Sequence, residues 1–161
     1  MQTLYYIDTC SLQWRYLSGR ATATVDRILS ERNNLVFTAE LTILEWSSAL
    51  ARAYRRGDIT SDQFKQFELA LMTDIYNDSF LILRPSHRII ERARYLIEYI
   101  GVTNGLNLGS GDAIHLVHAL DATKSQGTKL EFVTNDRALS NIIANIDILQ
   151  ASLEINYLES V

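Results

Sequence analysis

The stretch Leu4-Tyr5-Tyr6-Ile7-Asp8-Thr9-Cys10-Ser11 opens on four consecutive apolar residues and ends them on a carboxylate. A strand that is wet on one face alternates apolar and polar residues, whereas a strand covered on both faces is apolar throughout, as in a parallel sheet. Leu35–Thr38, Phe80–Leu83 and Leu130–Thr134 are similarly apolar, with Glu131 the one charged residue among them, and a weaker fifth run lies around Asp147–Leu149. Between these runs the spacing of apolar residues predicts helices. They cover Thr22–Glu31, with Val25, Ile28 and Leu29 on one face, and Ala39–Arg56, with Leu41, Leu44, Ser48 and Arg52 as its stripe. Gly57 is a good stop for the second of these. The next helix, Thr60–Tyr76, carries Phe64, Phe67, Leu71 and Ile75, so the two form a hairpin. Ser86–Ile100, Asp112–Ser125 and Arg137–Ala144 complete the set. Strands alternating with helices point to an α/β sandwich with right-handed crossovers.

Composition narrows the class. A chain of 161 residues, 47% hydrophobic and 21% charged, suits one domain over 1–161 with a core that needs no disulfides. The single cysteine, Cys10, excludes a disulfide framework and a Cys-rich zinc site. Neither a signal peptide nor an apolar run of about 18 residues is present, so a cytoplasmic protein with no membrane span is expected. The balance of 15 basic and 19 acidic residues, net −4, argues against holding nucleic acid by a strongly positive surface alone. Only Lys65, Lys124 and Lys129 are lysines. The remaining bases are arginines, whose planar fork suits phosphate. Gly101–Gly111 holds four of the seven glycines but neither a GxxxxGK[ST] nor a GxGxxG spacing. It reads as a flexible loop between helices, with substrate contact as the alternative.

Four acidic residues fall at the ends of elements. Asp8 follows the first apolar run directly, and Asp136 follows Phe132-Val133-Thr134-Asn135. Carboxyl ends of strands are where open α/β sheets bind ligands. Asp112 opens a helix in Gly109-Ser110-Gly111-Asp112-Ala113-Ile114-His115-Leu116, and Glu45 lies early in another helix in Thr42-Ile43-Leu44-Glu45-Trp46. Each has a local explanation: Asp8, Asp112 and Asp136 as helix caps or first-turn acids, and Thr42-x-x-Glu45 as a capping box. Glu40 reads as a first-turn acid roughly 140° around the helix from Glu45. Four isolated caps have no reason to share one sheet edge, however, and carboxylates gathered there repel one another unless a cation neutralises them. Oxygen ligands without a His/Cys set select Mg²⁺ or Mn²⁺, and such sites commonly serve phosphoryl chemistry. Without these four, 15 acids face 15 bases, so the site carries the net charge.

The ordered set Asp8-Thr9-Cys10-Ser11-Leu12, Glu45, Gly109-x-Gly111-Asp112-Ala113-Ile114-His115-Leu116 and Thr134-Asn135-Asp136 resembles the PIN domain. In size and motif order the chain is similar to VapC-type toxin ribonucleases. The resemblance covers nearly the whole chain; Cys10 departs from it at a position that is not a ligand. It implies a three-layer α/β/α sandwich with a parallel sheet of four or five strands. It implies a Mg²⁺- or Mn²⁺-dependent endoribonuclease with Asp8, Glu45, Asp112 and Asp136 as the catalytic and metal-binding acids. Thr9 and Thr134 would be supporting hydroxyls. An RNA substrate, a homodimer and a small antitoxin lying across the acidic pocket are implied as partners.

Two other classes compete with the ribonuclease. A catalytically silent RNA- or protein-binding module on the same scaffold would be expected to lose an acidic position, and none is lost. An aspartyl-phosphate phosphatase wants a second aspartate two residues after the nucleophile, where this chain has Cys10. His115 and His118 read as packing residues, with a ligand role open to His115, one turn from Asp112. Arg52, Arg55 and Arg56 complement the end of their helix in solvent, with RNA phosphates as the alternative contact.

Overall fold

Every residue of Leu4–Ile7 is buried because both faces of its strand are covered, Leu4 and Tyr6 on one side and Tyr5 and Ile7 on the other. The computed structural model describes residues 2–159; Met1, Ser160 and Val161 of the domain expected over 1–161 lie outside them. In chain order the elements are β1 (Thr3–Ile7), α1 (Thr9–Leu12), α2 (Thr22–Ser30), β2 (Asn34–Ala39), α3 (Leu41–Arg56), α4 (Ser61–Tyr76) and β3 (Leu81–Leu83). They continue with α5 (His87–Glu98), α6 (Ser110–Gln126), β4 (Leu130–Thr134), α7 (Arg137–Asn145), α8 (Asp147–Gln150) and β5 (Leu153–Tyr157).

The five strands form one all-parallel sheet in the order β3-β2-β1-β4-β5. One face carries α5 to α8, with Ile89, Leu96, Leu116, Ile143 and Leu149 packed on Leu4, Tyr6 and Phe132. The other carries α1 to α4, with Leu12, Ile28, Trp46, Leu50 and Leu71 packed on Tyr5, Ile7, Val36 and Val133. This is the three-layer α/β/α sandwich expected, with five strands. From β1 the chain winds outward to β2 and β3, then returns to the other side of β1 as β4. The strand order therefore reverses between β1 and β4, where a crevice opens at their carboxyl ends.

Three expectations are corrected. The fifth strand is Leu153–Tyr157, and Asp147–Leu149 lies in α8. As an edge strand with one buried position, Leu153, the true β5 lacks the unbroken apolar run that marks a central strand. Thr42 and Glu45 do not make a capping box. Glu40 is the cap residue of α3 and makes no side-chain cap bond, while the Thr42 hydroxyl is buried 2.8 Å from that of Thr38. A capping box does form at α4, between Thr60 and Gln63. Finally, the core face of α3 is Thr42, Trp46 and Leu50, not the stripe of Leu41, Leu44, Ser48 and Arg52. The large Trp46 ring decides which side faces inward, and Leu44 is left 68% exposed. The hairpin stripe on α4 does face inward, with Leu71 buried and Phe64, Phe67 and Ile75 against the same cluster. Among the described residues no helix is long and apolar enough to cross a membrane.

Candidate active site

A cleft of about 540 Å³ opens at the carboxyl ends of β1 and β4, and Asp8, Glu45, Asp112 and Asp136 all line it. They arrive from four directions: the ends of two strands, a helix of one layer and a helix of the other. Thr9, Cys10, His115 and Arg52 share the lining. The misassigned stripe of α3, Leu41, Leu44, Ser48 and Arg52, is the wall of this cleft.

Two of the acids are held by cap bonds. Asp8 caps α1, its Oδ1 accepting the Ser11 N–H at 2.8 Å, while its Oδ2 accepts from the Cys10 thiol at 3.0 Å. Asp136 caps α7, accepting the Leu139 N–H at 3.0 Å, and its own N–H donates to the Thr134 hydroxyl at 3.0 Å. The local explanation and the shared cleft are thus both true of these residues: a cap fixes the carboxylate's direction. Asp8 is 4% exposed, and burial pushes its carboxyl above the usual aspartate value, hydrogen bonds from Cys10 and Thr134 offsetting part of that. Burial and the neighbouring Asp8 charge push the Cys10 thiol up, so it stays protonated and serves as a donor, not a nucleophile.

Asp112 is not a cap; Gly109 holds that place, and Asp112 stands in the first turn of α6. Its carboxyl is raised by burial and then by the charge of Asp136, Asp8 and Glu45, with His115 opposing. Asp112 therefore feels the other three acids across the cleft. Glu45 lies on α3, and its Oε2 accepts from the Thr9 hydroxyl and, at 3.0 Å, from His115 Nε2. Burial pushes its carboxyl up, but those two hydrogen bonds and the His115 ring outweigh it and leave the value lowered. Glu40, by contrast, lies outside the cleft, 3.5 Å from the Arg84 guanidinium.

Gly109 and Gly111 explain part of the glycine-rich loop. A Cβ at Gly111 would sit 2.7 Å from Glu45 Oε1, and one at Gly109 would sit 2.9 Å from Asp112 Oδ2. Both glycines make room for carboxylates. Reading the residues one by one also misses that His115 holds Glu45; the available signal is the i, i+3 spacing from Asp112, which puts both on one helix face. His118 is packed, as expected, and burial pulls it down to about 4.

The acids ring the cleft without closing on a point: among the described residues no three His, Cys, Asp or Glu side chains are grouped to enclose an ion. Their chemistry nonetheless fits a hard divalent cation. The available donors are carboxylate and hydroxyl oxygens, and the negative charge that Asp136, Asp8 and Glu45 place around Asp112 is what a cation would relieve.

Comparison with known proteins bears on the family and the fold. The PIN domain family model matches residues 5–144. Curated proteins offer no match. Among solved structures, VapBC2 from Rickettsia felis, bound to a DNA fragment from its promoter, aligns at 15% identity and TM-score 0.62 over 95% of this chain and 98% of that one. VapBC-5 from Mycobacterium tuberculosis, a member of the VapBC family of toxin-antitoxin systems, aligns at 14% identity and TM-score 0.61 over 97% and 99%. VapC20 from Mycobacterium tuberculosis, a Sarcin-Ricin loop cleaving toxin, aligns at 14% identity and TM-score 0.59 over 86% and 94%. Identities this low establish likeness of fold, but the family model spans most of the sequence, including the carboxyl ends of both strands that flank the cleft and all four of its acids. The chain belongs to the PIN domain family.

Proposed function

We propose that this chain is a Mg²⁺- or Mn²⁺-dependent endoribonuclease and the toxin of a toxin-antitoxin pair. The observation that carries the reading is the convergence of Asp8, Glu45, Asp112 and Asp136 on one cleft at the strand-order switch. A buried Asp8 and an Asp112 raised by the charge of the other three acids are costly to keep, and binding a cation is the function that offsets the cost. When bound, the cation would supply a water of lowered pKa and positive charge for the phosphate oxygens.

The chain's own residues have distinct tasks. Asp8 and Asp136, steered by their cap bonds, and Glu45, steered by Thr9 and His115, present oxygens to the cation. Asp112, whose carboxyl is shifted upward and makes no cap bond, is the group placed to orient the attacking water and take its proton. Thr134 acts through its bond to the Asp136 backbone and its contact with Asp8. Arg52, on the cleft wall two turns beyond Glu45, is placed to hold a substrate phosphate, as an anion entering an acidic cleft needs a cation to meet it.

RNA as substrate and an antitoxin partner are supported by likeness, one solved relative being a toxin that cleaves the Sarcin-Ricin loop and others belonging to VapBC systems; a homodimer is proposed from the family resemblance alone. The test is incubation with total RNA and Mn²⁺, mapping new ends for the wild type and for Asp8→Asn. New ends are expected with wild type alone, lost on chelation. Cleavage by Asp8→Asn at the wild-type rate would remove Asp8 from the machinery.

A further inference from the structure

Beneath the four carboxylates lies a side chain with two anchors. His115 projects from α6 and is 2% exposed. Its Nε2 lies 3.0 Å from Glu45 Oε2, and its Nδ1 lies 2.8 Å from the Tyr6 hydroxyl. A carboxylate only accepts, so Nε2 carries a proton and donates it to Glu45; in the neutral ring Nδ1 is then the acceptor for the Tyr6 O–H. Tyr6 is wholly buried in the central strand, its ring stacked on Phe132 of β4 at 5.3 Å and 10°. The core of the sheet thereby sets the tautomer and the angle of the imidazole. Through the imidazole it sets Glu45.

The opposite side of the same carboxylate is equally constrained. Glu45 Oε2 takes both the Thr9 and the His115 donors, while Oε1 lies where a side chain at position 111 would stand. One oxygen is consumed by anchors, and the other is left open because residue 111 is glycine. A free glutamate on a helix face samples many rotamers, which an ion must freeze when it binds.

We propose that Tyr6 and His115 are positioning residues, a buried relay from the sheet core that holds Glu45 so that Oε1 alone is offered to a divalent cation. The proposal builds on the cation-dependent reading of the cleft. Hydrogen-bond partners behind a ligand typically change metal affinity about 10- to 100-fold. If His115 served only to satisfy Tyr6 in the core, its loss would lower stability and leave cation affinity untouched.

The test measures Mn²⁺ binding to the full chain by calorimetry, alongside the melting temperature without metal. The variants are Tyr6→Phe, His115→Ala and His115→Gln. Tyr6→Phe keeps the stack on Phe132 and removes only the hydroxyl; it is expected to weaken Mn²⁺ by about tenfold. His115→Ala should weaken it by at least as much, and His115→Gln, whose amide N–H can reach Glu45, should recover part of the loss. Should His115→Ala fail to fold, Tyr6→Phe and His115→Gln decide the matter. Wild-type affinity in Tyr6→Phe and His115→Gln would overturn the relay and leave the cation site standing. A wild type that binds no Mn²⁺ would overturn the site itself, and the relay with it.

Discussion

A methyl group at position 111 would stand 2.7 Å from Glu45 Oε1, closer than real contacts allow, and the far end of the glutamate is what must yield. Since Gly111 lies in helical backbone, alanine there should suit α6, by up to about 1 kcal/mol. Gly111→Ala is therefore expected to keep or raise the melting temperature while cutting RNA cleavage about tenfold or more; loss of both together would mean that the glycine serves folding and not Glu45. Asp8 makes a prediction of the opposite kind. Its folded carboxyl lies above the usual 3.8, so the stability it contributes is fully present below that value and is lost as pH rises through the folded one. Asp112 carries the same sign, and Glu45, lowered from 4.5, the reverse, losing its contribution as pH falls. At neutral pH Asp8 is thus a burden on the metal-free fold, and Asp8→Asn should match or exceed wild type by up to about 1 kcal/mol. The gap should narrow on acidification toward about pH 4. Thermal melts of both proteins across that range, without metal, check it; a gap that widens as pH falls contradicts the assignment.

At the scale of the element, α3 is the informative helix because both of its long faces are in use. Trp46 and Leu50 join the core on one side, while Leu44, Ser48 and Arg52 wall the cleft on the other. Periodicity alone gives each stripe a claim to the interior, and packing of the larger ring settles it. Changes on the two faces should separate cleanly. Arg52→Ala is expected to leave stability within about 0.5 kcal/mol, to weaken RNA binding, and to reduce the slope of log K against log salt by about one. Titration of a cleavage-dead variant with RNA at several salt concentrations measures this. On the neighbouring helix, Leu71 is 1% exposed, and Leu71→Ala should cost about 2–5 kcal/mol in urea unfolding without changing the salt slope. Asp74 of α4, which accepts from Arg15, Tyr16 and Ser79, ties this hairpin to the segment that follows α1.

For the molecule as a whole, the order β3-β2-β1-β4-β5 brings residues from opposite layers together over one edge of the sheet. A ligand bound there by the folded chain alone must stabilise all of it. Mn²⁺ at 100 times its dissociation constant should add about 2.7 kcal/mol, or roughly 5–10 °C in melting temperature for a chain of this size. Excess EDTA should reverse the gain, and Asp8→Asn should show little of it; an unchanged wild-type melt at millimolar Mn²⁺ would count against the site. The parallel sheet was legible in the sequence because a strand covered on both faces is apolar along most of its length, and Leu4–Ile7 is apolar at every position. The carboxylates after β1 and β4 were legible too, since caps act over three residues. Other features were not. β5 hides because an edge strand buries little, and the false capping box arose because Thr42 turns toward Thr38, a partner on another element. The bond from Tyr6 to His115 spans 109 residues. By itself the sequence determined which segments become strands and helices and where the acids stand on them, because those properties depend on near neighbours along the chain. Only the tertiary structure decided which face of α3 turns inward and which buried ring steadies Glu45, because contacts between distant segments leave no period to read.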